Sequence, residues 1–333
     1  MWNRNRIFKT LLVIVIAVVI PTIFVMARAQ DRKRLGYEDL IPQSTLGGKQ
    51  FWNDVHFFHG WHIQRNAVTG HYRLLDAEEK RHAWGTFEGC KKKLDEVRKE
   101  ENLPPMKGKA VIILHGLVRS HKAMESIADY LRDEGGYKII NVEYASTQHS
   151  TEENAQTLAS VIESLDGIEE INFIGHSLGN IVVRRYLHDH IDPKTGKPTD
   201  KRIRRMVMLG PPNHGSMIAK ALADNTIFSV NGRTGQELGK DWDELDKNLA
   251  TPPFEFGIIA GGKGDGEGYN PVLPGDDDGT IRIETARLRG ATDFSRVPVL
   301  HSFLMNDKKV QEQTLRFLQH GYFKTEKERQ PIK

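Results

Sequence analysis

One pentapeptide of this 333-residue chain, Gly175-His176-Ser177-Leu178-Gly179, has the residue types for covalent chemistry. A serine hydroxyl is a useful nucleophile only when a base removes its proton, and that base is usually a histidine oriented by a carboxylate. His301 is the candidate base, since it directly follows a short apolar run, Val297 to Leu300, and precedes a helical pattern. The acid is expected between the two, and Asp265, Asp276, Asp277 and Asp278 are the candidates. Asp278 is preferred because Gly279 after it permits a tight turn, and Asp277 comes next. The tetrahedral oxyanion formed in acyl transfer needs fixed donors, best supplied by backbone N–H groups. The N–H of Leu178 is one expected donor. The N–H of Leu117, in Leu114-His115-Gly116-Leu117-Val118, is the other. Each residue also has a plainer reading: a helix-capping serine, a packed histidine, a solvated acidic loop and an ordinary glycine turn. His176 is expected to point away from the chemistry, packing or hydrogen-bonding, and His320 falls too late, at the end of the closing helix.

The elements around these residues decide between the readings. Ile171 to Ile174 reads as a buried strand and Leu178 to His190 has helical apolar spacing, so the serine sits on a sharp strand-to-helix turn. The glycines on either side leave room for the close approach of strand and helix. Further strands are expected at Ala110–Leu114, Tyr137–Val142, Ile203–Leu209, Phe254–Ala260 and Val297–Leu300. Helices are expected at Met124–Asp133, Thr151–Leu165 and Asp307–Leu318. Repeated β-α-β units require a mostly parallel sheet with helices on both faces, an α/β fold.

Outside this core, residues 51–75 are rich in aromatics and histidine, and Trp61 to Leu75 reads as a hairpin turning at 66–70. His56, His59, His62 and His71 lack a cysteine or carboxylate to complete a metal set. Ala77 to Glu101 is expected to be one amphipathic helix carrying Trp84, Phe87, Leu94 and Val97. At the start, Arg4, Arg6 and Lys9 precede the apolar stretch Leu11–Ala27. Taken from Ile7 to Ala27, it is a mostly apolar run of 21 residues, interrupted only by Lys9, Thr10 and Thr22, and is expected to cross a hydrocarbon core of about 30 Å as an uncleaved anchor. Ala27-Arg28-Ala29 also offers a signal-cleavage pattern, which would release a secreted chain. The basic N-terminus is expected in the cytoplasm and the body outside it. With 47 basic and 44 acidic residues the net charge is +3, and no basic stripe or phosphate-binding motif appears, which excludes a nucleic-acid binder. The one cysteine, Cys90, cannot form an internal disulfide.

His115-Gly116, the Gly-His-Ser-Leu-Gly turn, Pro211-Pro212-Asn213-His214-Gly215-Ser216, Asp278-Gly279-Thr280-Ile281 and His301 together resemble the α/β-hydrolase superfamily, and within it the bacterial lipase and esterase-like members. The resemblance covers about residues 105–322. It implies that Asp278 is the triad acid, that residues 213–253 form a cap, and that no cofactor or metal is required. The expected organisation is a signal-anchor or signal peptide at 1–29, a linker at 30–50, a hairpin-and-helix extension at 51–105, the catalytic domain at 106–323 and a polar tail at 324–333. The expected activity is hydrolysis of a small-molecule or lipid carboxylic ester through an acyl-enzyme on Ser177, with Asp278 and His301 completing the triad. Acyl transfer or thioester cleavage would use the same residues. A non-catalytic, membrane-anchored scaffold that keeps the fold is the alternative of a different class.

Overall fold

A computed structural model describes residues 48–217 and 232–333. The expected membrane or signal segment at 1–29 lies outside the described residues. No helix among the described residues is long and apolar enough to cross a membrane. Four strands come first: β1 (Trp52–Phe58), β2 (Trp61–Asn66), β3 (Tyr72–Leu75) and β4 (Arg81–Gly85). They pair in chain order as an antiparallel sheet, in which β2 and β3 form the hairpin expected from the sequence. Helix α1 (Phe87–Glu100) follows and is shorter than the one expected over 77–101. Thr86 stops it: the Thr86 backbone is extended and its side chain accepts the Gly89 N–H at 3.1 Å, an N-cap that fixes where the helix begins. Residues 81–85 pair with β3 instead, so Trp84 lies on a strand, exposed, with its ring against His71.

The continuous apolar runs form a second sheet. Its strands are β5 (Gly108–Leu114), β6 (Lys138–Val142), β7 (Ile168–His176), β8 (Ile203–Leu209), β9 (Phe256–Gly261) and β10 (Asp293–Val297). All pairs are parallel, in the order β10-β9-β8-β7-β5-β6. Parallel neighbours need crossovers, and the helices supply them: α2 (Glu125–Asp133), α3 (Thr151–Glu163) and α4 (Leu178–Asp189). Then come α5 (Gly232–Gly239), α6 (Trp242–Asp246), α7 (Ile283–Ala286) and the closing α8 (Lys308–His320). Alternate strand residues face opposite layers. Ile112, Phe173, Met206 and Ile258 pack with α3 and α4, while Ile113, Ile174, Val207 and Ile259 pack with α2 and α8. The last strand lies earlier than the expected 297–300. It ends at Val297 because Pro298 has no N–H to donate to a neighbouring strand.

The N-terminal sheet and α1 share the core of the parallel sheet: Phe57, Ile63 and Leu74 of the sheet and Leu94 of α1 pack in one cluster with Leu158 and Phe173. A polar seam also joins the two sheets. The Asp54 N–H donates to the Glu143 carbonyl at 2.9 Å, and the Glu143 N–H donates to Asp54 Oδ2 at 2.6 Å. The Ala145 N–H donates to Asn53 Oδ1 at 2.8 Å. Both Asp54 and Glu143 are buried, and each carboxylate meets histidine. His62 Nδ1 lies 2.7 Å from Asp54 Oδ1, and His121 Nδ1 lies 2.6 Å from Glu143 Oε2. His115 Nε2 stands 3.5 Å from Glu143 Oε1, a charge contact rather than a well-formed hydrogen bond. Burial alone would raise the Glu143 carboxyl, but contacts from His115 and His121 outweigh it and pull it down to about 2. His59 donates to the Pro104 carbonyl and His56 packs edge-on to Phe87. Among the described residues no three His, Cys, Asp or Glu side chains group as metal ligands.

If the extension and the parallel sheet are one cooperative unit, Leu94→Ala destabilises the whole of it. A loss of about 2–5 kcal/mol is expected, with tryptophan fluorescence and far-UV dichroism moving together in urea; a separate early transition in one probe would show two independent units. Glu143 adds a pH dependence. A carboxyl lowered on folding contributes stability that is present above its unfolded value near 4.5 and is lost as pH falls toward 2. Glu143→Gln is expected to flatten the fall in urea midpoint over that window, and an unchanged slope would remove Glu143 as its source.

Candidate active site

The C-terminal end of β7 runs directly into α4, and Ser177 is the joint. It has φ 52° and ψ −118°, backbone that a non-glycine residue adopts only when its surroundings enforce it. The Ser177 N–H donates to the Leu209 carbonyl at the end of β8 at 2.9 Å, which ties the turn to the neighbouring strand. The close approach expected from the glycines is there: a Cβ on Gly179 would stand 2.5 Å from the Leu114 carbonyl oxygen, so only glycine lets α4 lie against β5.

Gly210, the residue after β8, seats the histidine. A Cβ on Gly210 would lie 2.9 Å from His301 Nδ1, so the ring rests on the backbone next to the residue that holds the Ser177 N–H. His301 opens a short 3-10 turn, His301–Asn306, and is largely buried. Its Nδ1 donates to Asp278 Oδ2 at 2.7 Å, and its N–H donates to the Asp278 carbonyl at 2.8 Å. A carboxylate only accepts, so the hydrogen is assigned to Nδ1 and Nε2 is left to take a proton. Asp278 is buried, and its second oxygen accepts the N–H groups of Thr280 at 3.0 Å and Ile281 at 2.6 Å.

The other acid candidates point elsewhere. Asp277 turns to the opposite side, accepting from Gly279 at 2.6 Å and Asn270 at 3.0 Å, and burial raises its carboxyl. Asp276 accepts the Gly264 N–H and lies 3.6 Å from Arg296, while Asp265 accepts from Glu267 and Gly268 in its own loop. Of the four, Asp278 is the one hydrogen-bonded to His301.

Leu178 is the first residue of α4, where a helical N–H has no intrahelical partner. The loop after β5 lies beside it: a Cβ on Gly116 would be 3.2 Å from the Ser177 Cβ. In that loop the Val118 N–H donates to Ser146 Oγ at 3.2 Å and the Arg119 N–H to the Gly116 carbonyl at 3.3 Å. No acceptor among the described residues takes the Leu117 N–H.

Two side chains support the site. His176 hydrogen-bonds and packs, as expected, and its partner is His301. Its Nε2 donates to the His301 carbonyl at 3.0 Å, and the two rings are 4.7 Å apart. Burial, then the charge of His301 and Arg119, holds His176 well below the usual imidazole range, so it stays neutral. The second support is Gln50, whose side chain donates to the Arg119 carbonyl at 2.6 Å and accepts from Ser146 Oγ at 3.0 Å. Gln50 is 65 or more residues from both partners in sequence, and no local pattern signals such a bond. Of the expected cap, residues 218–231 lie outside the described residues. In α5, Glu237 accepts the Thr151 N–H at 2.7 Å, at the start of α3. Asn213 is buried and bonded to Arg184 of α4 and to the Ala286 carbonyl.

A model of a family described as a domain of unknown function, DUF7379, matches residues 75–232. No protein of curated function matches the sequence. Among solved structures the chain is similar to the mature lipase BlEst2 of Bacillus licheniformis, at 20% identity and a TM-score of 0.49, over 66% of this chain and 95% of that one. It is similar to the lin2722 gene product of Listeria innocua, at 20% identity and a TM-score of 0.46, over 66% and 96%. It is also similar to a malate-bound thermophilic esterase of Thermogutta terrifontis, at 12% identity and a TM-score of 0.41, over 66% and 92%. The parallel sheet, the strained serine turn between β7 and α4, and the chain order of serine, acid and histidine are this chain's own, and by them the protein has the α/β-hydrolase fold.

Proposed function

We propose that the protein is a serine hydrolase that cleaves carboxylic esters through an acyl-enzyme on Ser177. The observation that carries this reading is the strained Ser177 turn beside a histidine whose Nδ1 is committed to a buried carboxylate. Ser177 Oγ attacks the ester carbonyl while His301 Nε2 takes its proton. The N–H groups of Leu117 and Leu178 hold the oxyanion, and Asp278 keeps the imidazole in the required tautomer and balances its charge. The imidazolium returns the proton to the departing alcohol. Water, activated by the same histidine, then releases the acid. On the same footing we place the catalytic unit outside the cytoplasm, tethered by the basic and apolar residues 4–27, a reading supported by their composition alone.

The test is labelling by a fluorophosphonate together with hydrolysis of p-nitrophenyl esters of increasing chain length. Ser177→Ala is expected to lose labelling and about 10^6-fold in kcat, and Asp278→Asn about 10^4-fold through the wrong histidine tautomer. A folded Ser177→Ala variant that still turns over ester would remove the serine from the mechanism. For the tether, alkaline carbonate extraction of cell membranes is expected to leave the chain in the pellet; release into the wash would overturn it.

A further inference from the structure

Arg119 is a charged residue of the loop that approaches Ser177 at Gly116, and this mechanism leaves it unused. It follows Leu117 and Val118 on the loop after β5. Val118 has φ 59°, left-handed backbone that a β-branched residue takes up only under constraint. The Arg119 carbonyl is held by Gln50, and its Nη2 donates at 2.8 Å to Ser302 Oγ, the side chain next to His301. The guanidinium therefore reaches from the oxyanion loop to the histidine loop, and His176 beneath feels its charge.

No Asp or Glu oxygen among the described residues lies within 4.0 Å of this guanidinium. Arg184, Arg185, Arg202 and Arg205 each face at least one. Burial pushes the Arg119 guanidinium down, with no carboxylate charge set against it. A partly desolvated cation without a counter-ion is costly, and an anion from a ligand offsets that cost. Apolar side chains stand at the same rim. Val118, Leu300 and Phe303 are 54%, 40% and 57% exposed, and surfaces that exclude water strengthen an ion pair formed beside them. A guanidinium fork also matches carboxylate and phosphate geometry, and the Ser302 hydroxyl engages only one of its nitrogens.

We propose that Arg119 binds an anionic group, carboxylate or phosphate, carried by the substrate ester close to the bond that is cleaved. The inference rests on the hydrolase reading above and adds the chemical class of substrate to it.

The experiment uses the full-length chain and two matched pairs of esters. The carboxylate pair is a succinate half-ester of p-nitrophenol against the p-nitrophenyl ester of butyric acid. The phosphate pair is a monoacyl glycerol phosphate against the corresponding monoacyl glycerol. The wild type is expected to favour the anionic member of at least one pair by tenfold or more in kcat/KM, and the pair that shows it identifies the anion. Arg119→Met is expected to cut that ratio at least tenfold, and Arg119→Lys to restore part of it. A wild type with no preference in either pair overturns the inference while leaving the hydrolase reading standing. An Arg119→Met variant that loses the same factor on both members overturns it too, since Arg119 would then only hold the loop. If none of the four esters is cleaved and Ser177 is not labelled, the hydrolase reading itself fails and the inference goes with it.

Discussion

The hydrogen bond from the Ser177 N–H to the Leu209 carbonyl closes the turn between β7 and α4 against the neighbouring strand, and the other candidate catalytic groups are placed relative to it. A residue held at φ 52° costs on the order of 1–3 kcal/mol, and it persists because the surroundings over-determine it. Here they do so from both sides. Helix α4 buries Leu178, Ile181, Val182, Val183 and Leu187 against the sheet, so the turn cannot relax without lifting the helix. On the other flank, Gly210 follows Leu209 and carries the His301 ring. One two-residue stretch thereby registers Ser177 and His301 against each other, using backbone rather than flexible side chains.

The loop after β5 is held differently, by polar groups from distant parts of the chain. Gln50 and Ser146 fix the backbone from Val118 to Arg119. Below them the Asp54–Glu143 seam and the histidines around it join the first strand to the end of β6. Buried carboxylates are expensive unless partnered, and these accept backbone N–H groups and meet the imidazoles of His62 from β2 and His121 from the 3-10 turn before α2. The N-terminal extension is thus structural support for the loop that carries Leu117, as well as part of the core.

The sequence made legible what depends on local pattern. The buried strands announce themselves as apolar runs, and the serine turn by glycine spacing between a strand and a helix. Asp278 and Asp277 were not separable by spacing, because neighbouring residues in a tight turn point to opposite sides and only the fold decides which side holds His301. The segment 81–85 reads as helix since Trp84 and Phe87 keep helical spacing. What overrides that spacing is pairing with β3 and the Thr86 cap. That His176 packs or hydrogen-bonds was legible from its place in the turn, but neither its partner His301 nor the bracing by Gln50 had a local signature, because these bonds join residues that only the folded chain brings together.

The spread of the site along the chain has a consequence for its synthesis. The brace on the loop after β5 comes from residue 50 and the imidazole bonded to Asp278 from residue 301, with Ser177 midway. A chain emerging from the ribosome presents its first four strands long before the parallel sheet that completes their core, and strands β8 to β10 arrive last. Until residue 301 has been made and seated on Gly210, the turn at Ser177 lacks the imidazole that the folded chain places there. An unfinished chain therefore holds the serine turn without its neighbouring imidazole, and the candidate site is assembled only after β10 and the turn that follows it have been made.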